Sequence, residues 1–185
     1  ENMHQAVQRE SKAARESVGI LDASTLGKID IQGTDASEFL NRVYTNAWSK
    51  LAIGKCRYGL MLNEDGMVYD DGVTTRLDEN HYIMTTTTGG AANVMGKLED
   101  YLQTEWPELD VYLTSVTDHF ATVSVCGPNS KKIVSKVIQD LDFSDENFPH
   151  MSFKNAKIGK INCRVMRISF TGEHSYEINI QANYG

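Results

Sequence analysis

The chain has 185 residues and a formal net charge of −7, with 41% hydrophobic and 23% charged residues. This length and composition predict a globular protein of one large domain or two small ones. Lysines and arginines are scattered rather than clustered, which argues against a nucleic-acid partner, because such proteins usually carry a basic stripe. Apolar runs span only a few residues, so no membrane-crossing helix is predicted.

The sequence also indicates in which cellular compartment the protein is expected and whether the chain is part of a longer one. No basic segment followed by an apolar core opens the chain, so nothing indicates secretion. Cys56, Cys126 and Cys163 show no paired spacing and predict reduced thiols of a cytoplasmic protein. The chain starts at Glu1 rather than Met and stops at Gly185 just after a strand-like run. We therefore expect residues 1–185 to form one domain that is an excised part of a longer polypeptide.

The first predicted elements alternate between helix and strand. The segment 3–17 lacks glycine and proline and predicts a helix that ends near Gly19. Residues 28–32 alternate polar and apolar side chains, the pattern of a half-buried strand. Asp35 and Glu38 form an acidic variant of the capping box, and apolar residues at helical spacing follow them.

A predicted hairpin occupies the middle of the first half. Two strand-like segments, 58–63 and 67–76, are joined by the turn sequence Glu-Asp-Gly at 64–66. A further strand over 82–88 leads into Gly-Gly at 89–90, which opens an amphipathic helix.

The second half continues the same alternation. Segments 111–116 and 121–125 predict another antiparallel pair, and Pro128 lies in the first turn of a helix, where its missing N–H has no cost. The buried stripe of that helix is predicted at Ile133, Val134, Val137, Ile138 and Leu141. The tail returns to strands at 157–162, 164–170 and 176–180.

Strands joined mainly by hairpins and interrupted by helices predict an α+β fold. We expect two layered lobes of antiparallel sheet with packed helices, rather than a doubly wound parallel sheet. Histidines and cysteines show neither Cys-x-x-Cys nor His-Glu-x-x-His spacing, so no metal site is predicted. The run Thr-Thr-Thr-Thr-Gly-Gly at 85–90 lacks the dinucleotide and P-loop patterns, which favours a hydroxyl-capped turn over an anion site.

Two strands carry acids that invite a functional interpretation. Asp70 and Asp71 are adjacent in an apolar strand, and neighbouring side chains in a strand point to opposite faces. One carboxylate can therefore line a cavity while the other faces solvent, although spacing alone favours a strand end with two solvated acids. Glu177 and Asn179 share one face of the last strand, opposite Tyr176. Glu177 is either a solvated strand acid or a recognition group, depending on what that face lines.

Several motifs occur in an order that resembles the aminomethyltransferase family, which includes the glycine-cleavage T-protein. They are Tyr-Gly-Leu-Met-Leu-Asn at 58–63, Gly-Met-Val-Tyr-Asp-Asp at 66–71, Cys-Gly-Pro-Asn at 126–129, Phe-Thr-Gly-Glu at 170–173 and Tyr-Glu-Ile at 176–178. Each motif alone is weak, whereas the ordered set is specific and extends from about residue 20 to the end of the chain.

Within the family, the chain is most similar to the branch found in alpha subunits of heterotetrameric sarcosine oxidase. The stretches that carry this similarity are 56–59, the threonine-rich run into 89–92, 103–107, 149–153 and 169–173. T-proteins usually have tyrosine where this chain has Phe170, so a hydroxyl is absent while the stacking ring remains. This departure favours the sarcosine oxidase branch.

The resemblance implies a tetrahydrofolate bound in a central channel between lobes. It implies that Asp70 lies near the reactive pterin nitrogens and that Glu177 accepts hydrogen bonds from the amino-pyrimidine edge. Tyr58 and Phe170 are the implied walls of the pterin site. Further implied neighbours are Leu62, Leu26 and Thr86. The chemistry is consistent, because one carboxylate can accept two adjacent N–H groups and another can take up a released proton.

The primary hypothesis is part of an enzyme. Tetrahydrofolate and an iminium, produced by flavin-dependent oxidation of an N-methyl amino acid, would give 5,10-methylenetetrahydrofolate. Flavin and NAD are expected only in other parts or subunits, so the partners are folate and the other sarcosine oxidase subunits. One alternative is a T-protein-like aminomethyltransferase that releases ammonia from a lipoyl-bound group, and another is a folate-binding module without transfer activity. The presence of Asp70 favours catalysis over the last alternative.

Overall fold

The computed structural model describes all 185 residues and divides them into two compact units. The terminal unit comprises residues 1–24 and 119–185, and the central unit comprises residues 25–118. Each unit contains one five-stranded antiparallel sheet and packed helices, which confirms the predicted α+β fold with two layered lobes.

The helices and strands alternate along the chain. The helices are α1 (Met3–Glu16), α2 (Ala36–Val43), α3 (Ala91–Asp100) and α4 (Ser130–Val137). The strands are β1 (Gly19–Asp22), β2 (Gly27–Gln32), β3 (Cys56–Leu62), β4 (Val68–Asp78), β5 (His81–Thr86), β6 (Tyr112–Ser115), β7 (Phe120–Cys126), β8 (Ser152–Ile158), β9 (Ile161–Arg167) and β10 (Ser175–Gln181). None of the helices is long and apolar enough to span a membrane.

The central sheet has the strand order β3-β4-β5-β2-β6. Its core face packs against α2 and α3, because both helices present apolar residues at helical spacing. Strand residues of this core include Ile29, Ile31, Met61, Tyr82 and Met84, and helix residues include Phe39, Leu40, Val94 and Leu98. We call the opposite side of the sheet, which points away from this core, its far face.

The terminal sheet has the strand order β1-β7-β10-β9-β8. Its core face holds Val125, Val165 and Tyr176, which pack with α4 and with the loop before β8. Tyr176 makes ring contacts with Phe143 and Phe148 of that loop. Residues that alternate with these along the strands, including Glu177, lie on the far face of this sheet.

One predicted strand pairing is wrong. Segments 111–116 and 121–125 were expected to pair with each other, but β6 pairs with β2 in the central unit, whereas β7 pairs with β1 and β10 in the terminal unit. The 3-10 turn Thr117–His119 separates the two strands at the boundary between the units. Local sequence indicates that a segment is a strand, but long-range contacts choose its partner.

The predicted capping box at α2 is also wrong. Asp35 makes no side-chain hydrogen bond to the helix; its carboxylate instead accepts the backbone N–H of Asp110, at 2.9 Å. Further along, the predicted helix over α4 begins only after Pro128, and Val137 at its end is exposed rather than buried. Val134 and Ile138 of the predicted stripe are buried.

Strand boundaries near the carboxyl end differ from the prediction. A predicted strand over 157–162 is interrupted by a turn at Gly159, whose φ of +61° is readily adopted by glycine. β1 was not predicted, because four residues directly after a helix give too short a pattern. The three cysteines are buried and none of them forms a disulfide. Burial raises the pKa of the Cys163 thiol to about 11.

Candidate functional site

The two adjacent acids of β4 lie on opposite faces of the central sheet. Asp70 pairs with Met61, a core residue, and therefore points to the core face. Asp71 pairs with Leu60 and points to the far face. Adjacent acids in a regular strand must diverge in this way, so the predicted divergence is confirmed.

Asp70 is buried, with 4% of its surface exposed, and is held by the turn that precedes α3. Its Oδ1 accepts the Thr87 hydroxyl at 2.6 Å, and its Oδ2 accepts the Thr87 backbone N–H at 3.2 Å. Thr87 Oγ1 in turn accepts the backbone N–H of Gly90, the residue before the first turn of α3. The carboxylate thus fixes the start of a helix, where negative charge is stabilising. The hydroxyl-capped turn predicted from the threonine run is confirmed.

The close approach of Asp70 explains the glycine at this helix start. A Cβ atom at Gly90 would lie 2.4 Å from Asp70 Oδ1, a distance that no real side chain tolerates. Asp70, Thr87 and Gly90 therefore form one packed structural unit.

Asp71 belongs to a different group of residues. Its Oδ2 accepts the hydroxyl of Tyr58 at 2.9 Å, and this hydrogen bond raises the pKa of the tyrosine. The Tyr58 ring is 48% exposed, so it presents a flat surface beside a carboxylate. Tyr58 and Asp71 share the far face of the central sheet.

A β-bulge lies next to the two acids. Met61 pairs with Asp70 while Leu62 pairs with Val68, which leaves Tyr69 as an extra residue of β4. Bulges bend a strand and redirect its side chains, and they are frequent beside functional sites. Leu62, a predicted folate neighbour, lies at this bulge and is half-buried.

Tyr44 adds a buried phenol close to the two acids. An isolated bridge pairs it with Met61, which itself pairs with Asp70. Burial, followed by the negative charges of Asp70 and Asp71, raises the pKa of Tyr44. Its hydroxyl has no hydrogen-bond partner in the chain. Tyr44 has no distinguishing signal in the sequence, because a tyrosine after an apolar helix resembles any core residue.

Two other predicted neighbours lie at the edge of the central unit. Thr86 is buried and donates its hydroxyl to the Thr87 carbonyl at 2.9 Å. It pairs with Gly27 and shares the core face with Ile29 by strand alternation, so it does not lie with Tyr58. Leu26 is half-buried in the turn before β2, and its carbonyl accepts Lys28 Nζ at 2.9 Å.

Glu177 lies on the far face of the terminal sheet. It pairs with Ser124 on β7 and with Met166 on β9, and only 9% of it is exposed. Around it the same face carries small polar side chains: Ser124 contacts Ser175 at 3.3 Å, and the hydroxyl of Thr122 donates to Asn179 at 2.7 Å. A carboxylate in this setting is a buried polar group rather than a solvated edge charge.

Phe170 lies in the loop between β9 and β10 and is 88% exposed. The loop is anchored rather than loose, because Arg15 donates to the Thr171 carbonyl and forms an ion pair with Glu173. Gly172 N–H also donates to the Ser169 hydroxyl at 2.9 Å. An anchored loop presenting a bare aromatic ring is suited to stacking on a flat ligand.

The structure thus groups the predicted site residues into three sets. Tyr58 and Leu62 lie with Asp71 on or beside the far face of the central sheet, and Asp70 and Thr86 lie on its core face. Glu177 and Phe170 belong to the terminal unit. Asp70 as the catalytic acid stays a prediction; Asp71 shares a face with Tyr58, a neighbour that only the strand register could reveal.

Comparison with known proteins places this geometry in a family. The chain is 56% identical over its whole length to the sarcosine oxidase subunit alpha of Corynebacterium sp. (strain P-1), of which it spans 19%. It is 31% identical over 96% of its length to the aminomethyltransferase of Staphylococcus haemolyticus (strain JCSC1435), of which it spans 47%.

Solved structures support the same fold. The glycine cleavage system aminomethyltransferase T from Bartonella henselae superposes with a TM-score of 0.81 at 23% identity, covering 97% of this chain and 46% of that one. The family model described as the GCVT N-terminal domain matches residues 1–185, the whole of the chain. The chain therefore belongs to the GCVT N-terminal domain family and is similar to sarcosine oxidase alpha subunits.

Proposed function

We propose that this chain is the tetrahydrofolate-binding, one-carbon-transfer part of a sarcosine oxidase alpha subunit. The full protein would convert the iminium from oxidation of an N-methyl amino acid into 5,10-methylenetetrahydrofolate. The identity of 56% to a sarcosine oxidase alpha subunit supports this branch over others of the family. Since the chain spans about a fifth of that relative, the activity belongs to the longer protein.

The observation that carries the proposal is the placement of acids on far faces. Each sheet packs one face on its own hydrophobic core, and its far face carries an acid. In the central unit the far face presents Asp71 with Tyr58, and in the terminal unit it presents Glu177 among small polar residues. Because the two acids have different surroundings, we assign them different roles, one in proton transfer and one in ligand recognition.

We assign the proton-transfer role to Asp71 rather than to Asp70. The resemblance implied Asp70; Asp71 is supported here because it shares the far face with Tyr58 and accepts the Tyr58 hydroxyl. Both oxygens of Asp70 are engaged by Thr87, whereas the Tyr58 hydroxyl holds only one oxygen of Asp71. Bound tetrahydrofolate would supply the amine nitrogen that takes up the one-carbon unit. Asp71 would orient that amine, accept its proton and stabilise positive charge at the carbon.

Glu177 fits the recognition of a pterin edge. Such an edge offers two adjacent N–H donors, and a carboxylate accepts both in a fork. The exposed rings of Phe170 and Tyr58 are each suited to stacking on a flat ring, and we keep Leu62 and Leu26 as proposed apolar neighbours of the ligand. For Thr86 we propose a structural role in the turn, since it lies on the core face.

Flavin and NAD would bind in other parts or subunits of the intact enzyme, and those subunits would be its protein partners. The chain contains no dinucleotide fingerprint, so we expect no amine oxidase activity from residues 1–185 alone. A T-protein-like aminomethyltransferase is the second candidate, supported by the 31% identity to the aminomethyltransferase of Staphylococcus haemolyticus. Phe170, where T-proteins usually have tyrosine, favours the sarcosine oxidase branch.

The test uses the intact protein with its subunits. Single-turnover formation of 5,10-methylenetetrahydrofolate is followed together with flavin reduction after addition of an N-methyl amino acid. We expect both signals, and we expect tetrahydrofolate to bind in a calorimetric titration. Flavin reduction without folate binding would contradict the proposal, and transfer from a lipoyl-bound aminomethyl group would favour the second candidate.

A further inference from the structure

Strand β1 forms one edge of the terminal sheet and pairs only with β7. The other sheet edges have features that natural proteins use to prevent further strand pairing. β8 exposes Lys154 and Lys157, and part of the β3 edge is covered by Tyr44, which forms a bridge to Met61. The exposed residues of β6 all carry hydroxyl groups: Tyr112, Thr114 and Ser115. β1 has neither a lysine nor a covering segment.

Apolar side chains are exposed along β1. Ile20 and Leu21 are 72% and 52% exposed, although both side chains are aliphatic. Ile20 lies opposite Val125 on the core face of the sheet, and Leu21 lies opposite Ser124 on the far face. Apolar exposure on both faces of an edge strand indicates that a further strand covers this edge.

The backbone of Ile20 points to the open edge, which is the side of β1 that faces away from β7. Ala23 donates its backbone N–H to the Thr122 carbonyl of β7 at 2.9 Å. Successive residues of an antiparallel strand form hydrogen bonds alternately to one side and to the other. Leu21 therefore bonds to β7, and the N–H and C=O groups of Ile20 lie on the open edge. These groups beside an exposed apolar side chain form a template for another strand.

Helix α1, directly before β1, is also incompletely packed. It has 14 residues, and none of them is buried. Met3 and Val7 lie one turn apart on one side of the helix, and both are exposed. Helices in proteins are stabilised mainly by packing of an apolar face. A Cβ atom at Gly19 would lie 3.6 Å from the Ala14 Cβ, so the end of α1 and the start of β1 adjoin and form one apolar region.

The size of the open edge favours a segment of the same polypeptide over a separate molecule. Four residues of a strand span only about 13 Å, whereas stable interfaces between separate proteins usually bury at least about 1,200 Å². A tethered segment needs less contact, because its effective concentration reaches the millimolar range. This chain spans 19% of the sarcosine oxidase alpha subunit to which it is 56% identical, so a full-length polypeptide of that kind has ample chain to supply the segment.

We propose that a segment of the full-length polypeptide outside residues 1–185 pairs with the open edge of β1 as an additional strand of the terminal sheet. Its backbone bonds to the N–H and C=O groups of Ile20. Its side chains opposite Ile20 and Leu21 are apolar on both faces. The inference rests on the proposed function only in taking this chain as part of a longer protein, and it assigns a surface that methylene transfer does not use.

Hydrogen exchange of the intact protein, measured at single residues by mass spectrometry, tests the pairing. The Leu21 amide bonds to β7 and should be protected whatever lies on the open edge, so it is the internal control. We expect the Ile20 amide to exchange at least about 100-fold more slowly than in an unstructured peptide. Exchange of Ile20 at the unstructured rate beside a protected Leu21 would overturn the inference.

Two variants sharpen this measurement. Ile20→Lys places a charge on the open edge and should raise the exchange rate at position 20 by at least about tenfold, with Leu21 still protected. Val137→Lys changes another exposed aliphatic residue of the same unit and should leave both rates unchanged. If Ile20→Lys also exposes Leu21, the β-branched Ile20→Thr replaces it. Unchanged exchange at position 20 in the edge variant contradicts pairing through Ile20.

Crosslinking identifies the segment that covers the edge. Leu21→Cys places an accessible thiol on β1, whereas Cys56, Cys126 and Cys163 are buried. This thiol is labelled with a benzophenone maleimide, and after photolysis of the intact protein the crosslinked peptides are compared with those of the unaltered protein treated alike. We expect a crosslink within one polypeptide, to a segment outside residues 1–185. A crosslink to a second copy or to another subunit, or no crosslink at all, would overturn the inference.

The outcome is separable from that for the proposed function, because amide protection and crosslinking require neither folate nor an amine substrate. An intact protein that forms no 5,10-methylenetetrahydrofolate but shows both signals refutes the proposed function and supports the added strand. An intact protein that carries out the transfer but leaves the Ile20 amide unprotected refutes the added strand alone.

Discussion

Strand β10 of the terminal sheet and strand β4 of the central sheet both carry acids, but they differ in how clearly their sequences determine which way those acids point. In β10, Tyr176 and Ile178 alternate with Glu177 and Asn179, and the apolar residues lie toward the core. In β4, two acids are adjacent and an extra residue, Tyr69, interrupts the register. In β10 the alternation alone indicates on which face of the sheet Glu177 lies. In β4 only the pairing with β3 shows on which face Asp70 and Asp71 lie.

The largest expected effect is on the rate of methylene transfer, and it tests which of the two acids of β4 is catalytic. In the intact enzyme, Asp71→Asn should lower the rate of methylene transfer by about 10²–10⁴-fold, because it removes a positioned general base. Asp70→Asn should cost far less in rate. Single-turnover assays with parallel flavin reduction measure both, and flavin reduction should survive in each. If Asp70→Asn lowers the transfer rate more than Asp71→Asn does, Asp70 is the catalytic acid. If neither variant lowers the rate, β4 carries no catalytic acid.

A smaller effect, on tetrahydrofolate affinity, is expected from a substitution in β10. Glu177→Ala should weaken tetrahydrofolate binding by one to two decades, since a hydrogen bond to a charged group contributes roughly 1.5–3 kcal/mol. Calorimetric titration of the intact protein measures it. Glu146→Ala removes an exposed acid from the same unit and serves as the control. Equal affinities of the Glu177 variant and the unaltered protein would make Glu177 a structural residue.

Asp70 should affect local stability instead of recognition. Asp70→Asn loses charge at the Thr87 turn and at the start of α3, which should cost about 1–3 kcal/mol of local stability. Hydrogen exchange of the first-turn amides of α3 should therefore become faster by roughly one to two orders of magnitude. Asp65→Asn, in the exposed hairpin turn, is the matched control. Unchanged protection of α3 would refute the anchoring role.

The smallest effect concerns the tyrosine beside Asp71. The hydrogen bond to Asp71 raises the pKa of Tyr58, so the phenol keeps its proton through neutral and mildly alkaline pH. The bond is present below the ordinary pKa of about 10 and is lost as pH rises through the raised value. Tyr58→Phe should lower transfer by less than about tenfold, and the deficit should be constant from about pH 6 to pH 9. A deficit that varies across this range would contradict the assignment.

The sequence by itself determined a large part of this molecule. Hydrophobic periodicity identified the main helices and strands, and hairpin turns indicated antiparallel sheets. The ordered motifs identified the family, which the whole-chain match confirmed. Regular alternation in β10 places Glu177 on the face opposite the core residues, as the strand pairing confirms. These features are local, so a short window of residues contains them.

Tertiary structure decided the features that depend on distant partners. β6 and β7 lie near each other in sequence but join different sheets, because their partners β2 and β10 are far along the chain. The facing of Asp71 follows from its register with Leu60 and its hydrogen bond to Tyr58, thirteen residues away. Strand register alone brings three polar residues of β8, β9 and β10 into one row across the sheet: Asn155, Arg164 and Asn179. Strand register is set by packing across the whole sheet, and a single sequence does not encode that packing locally.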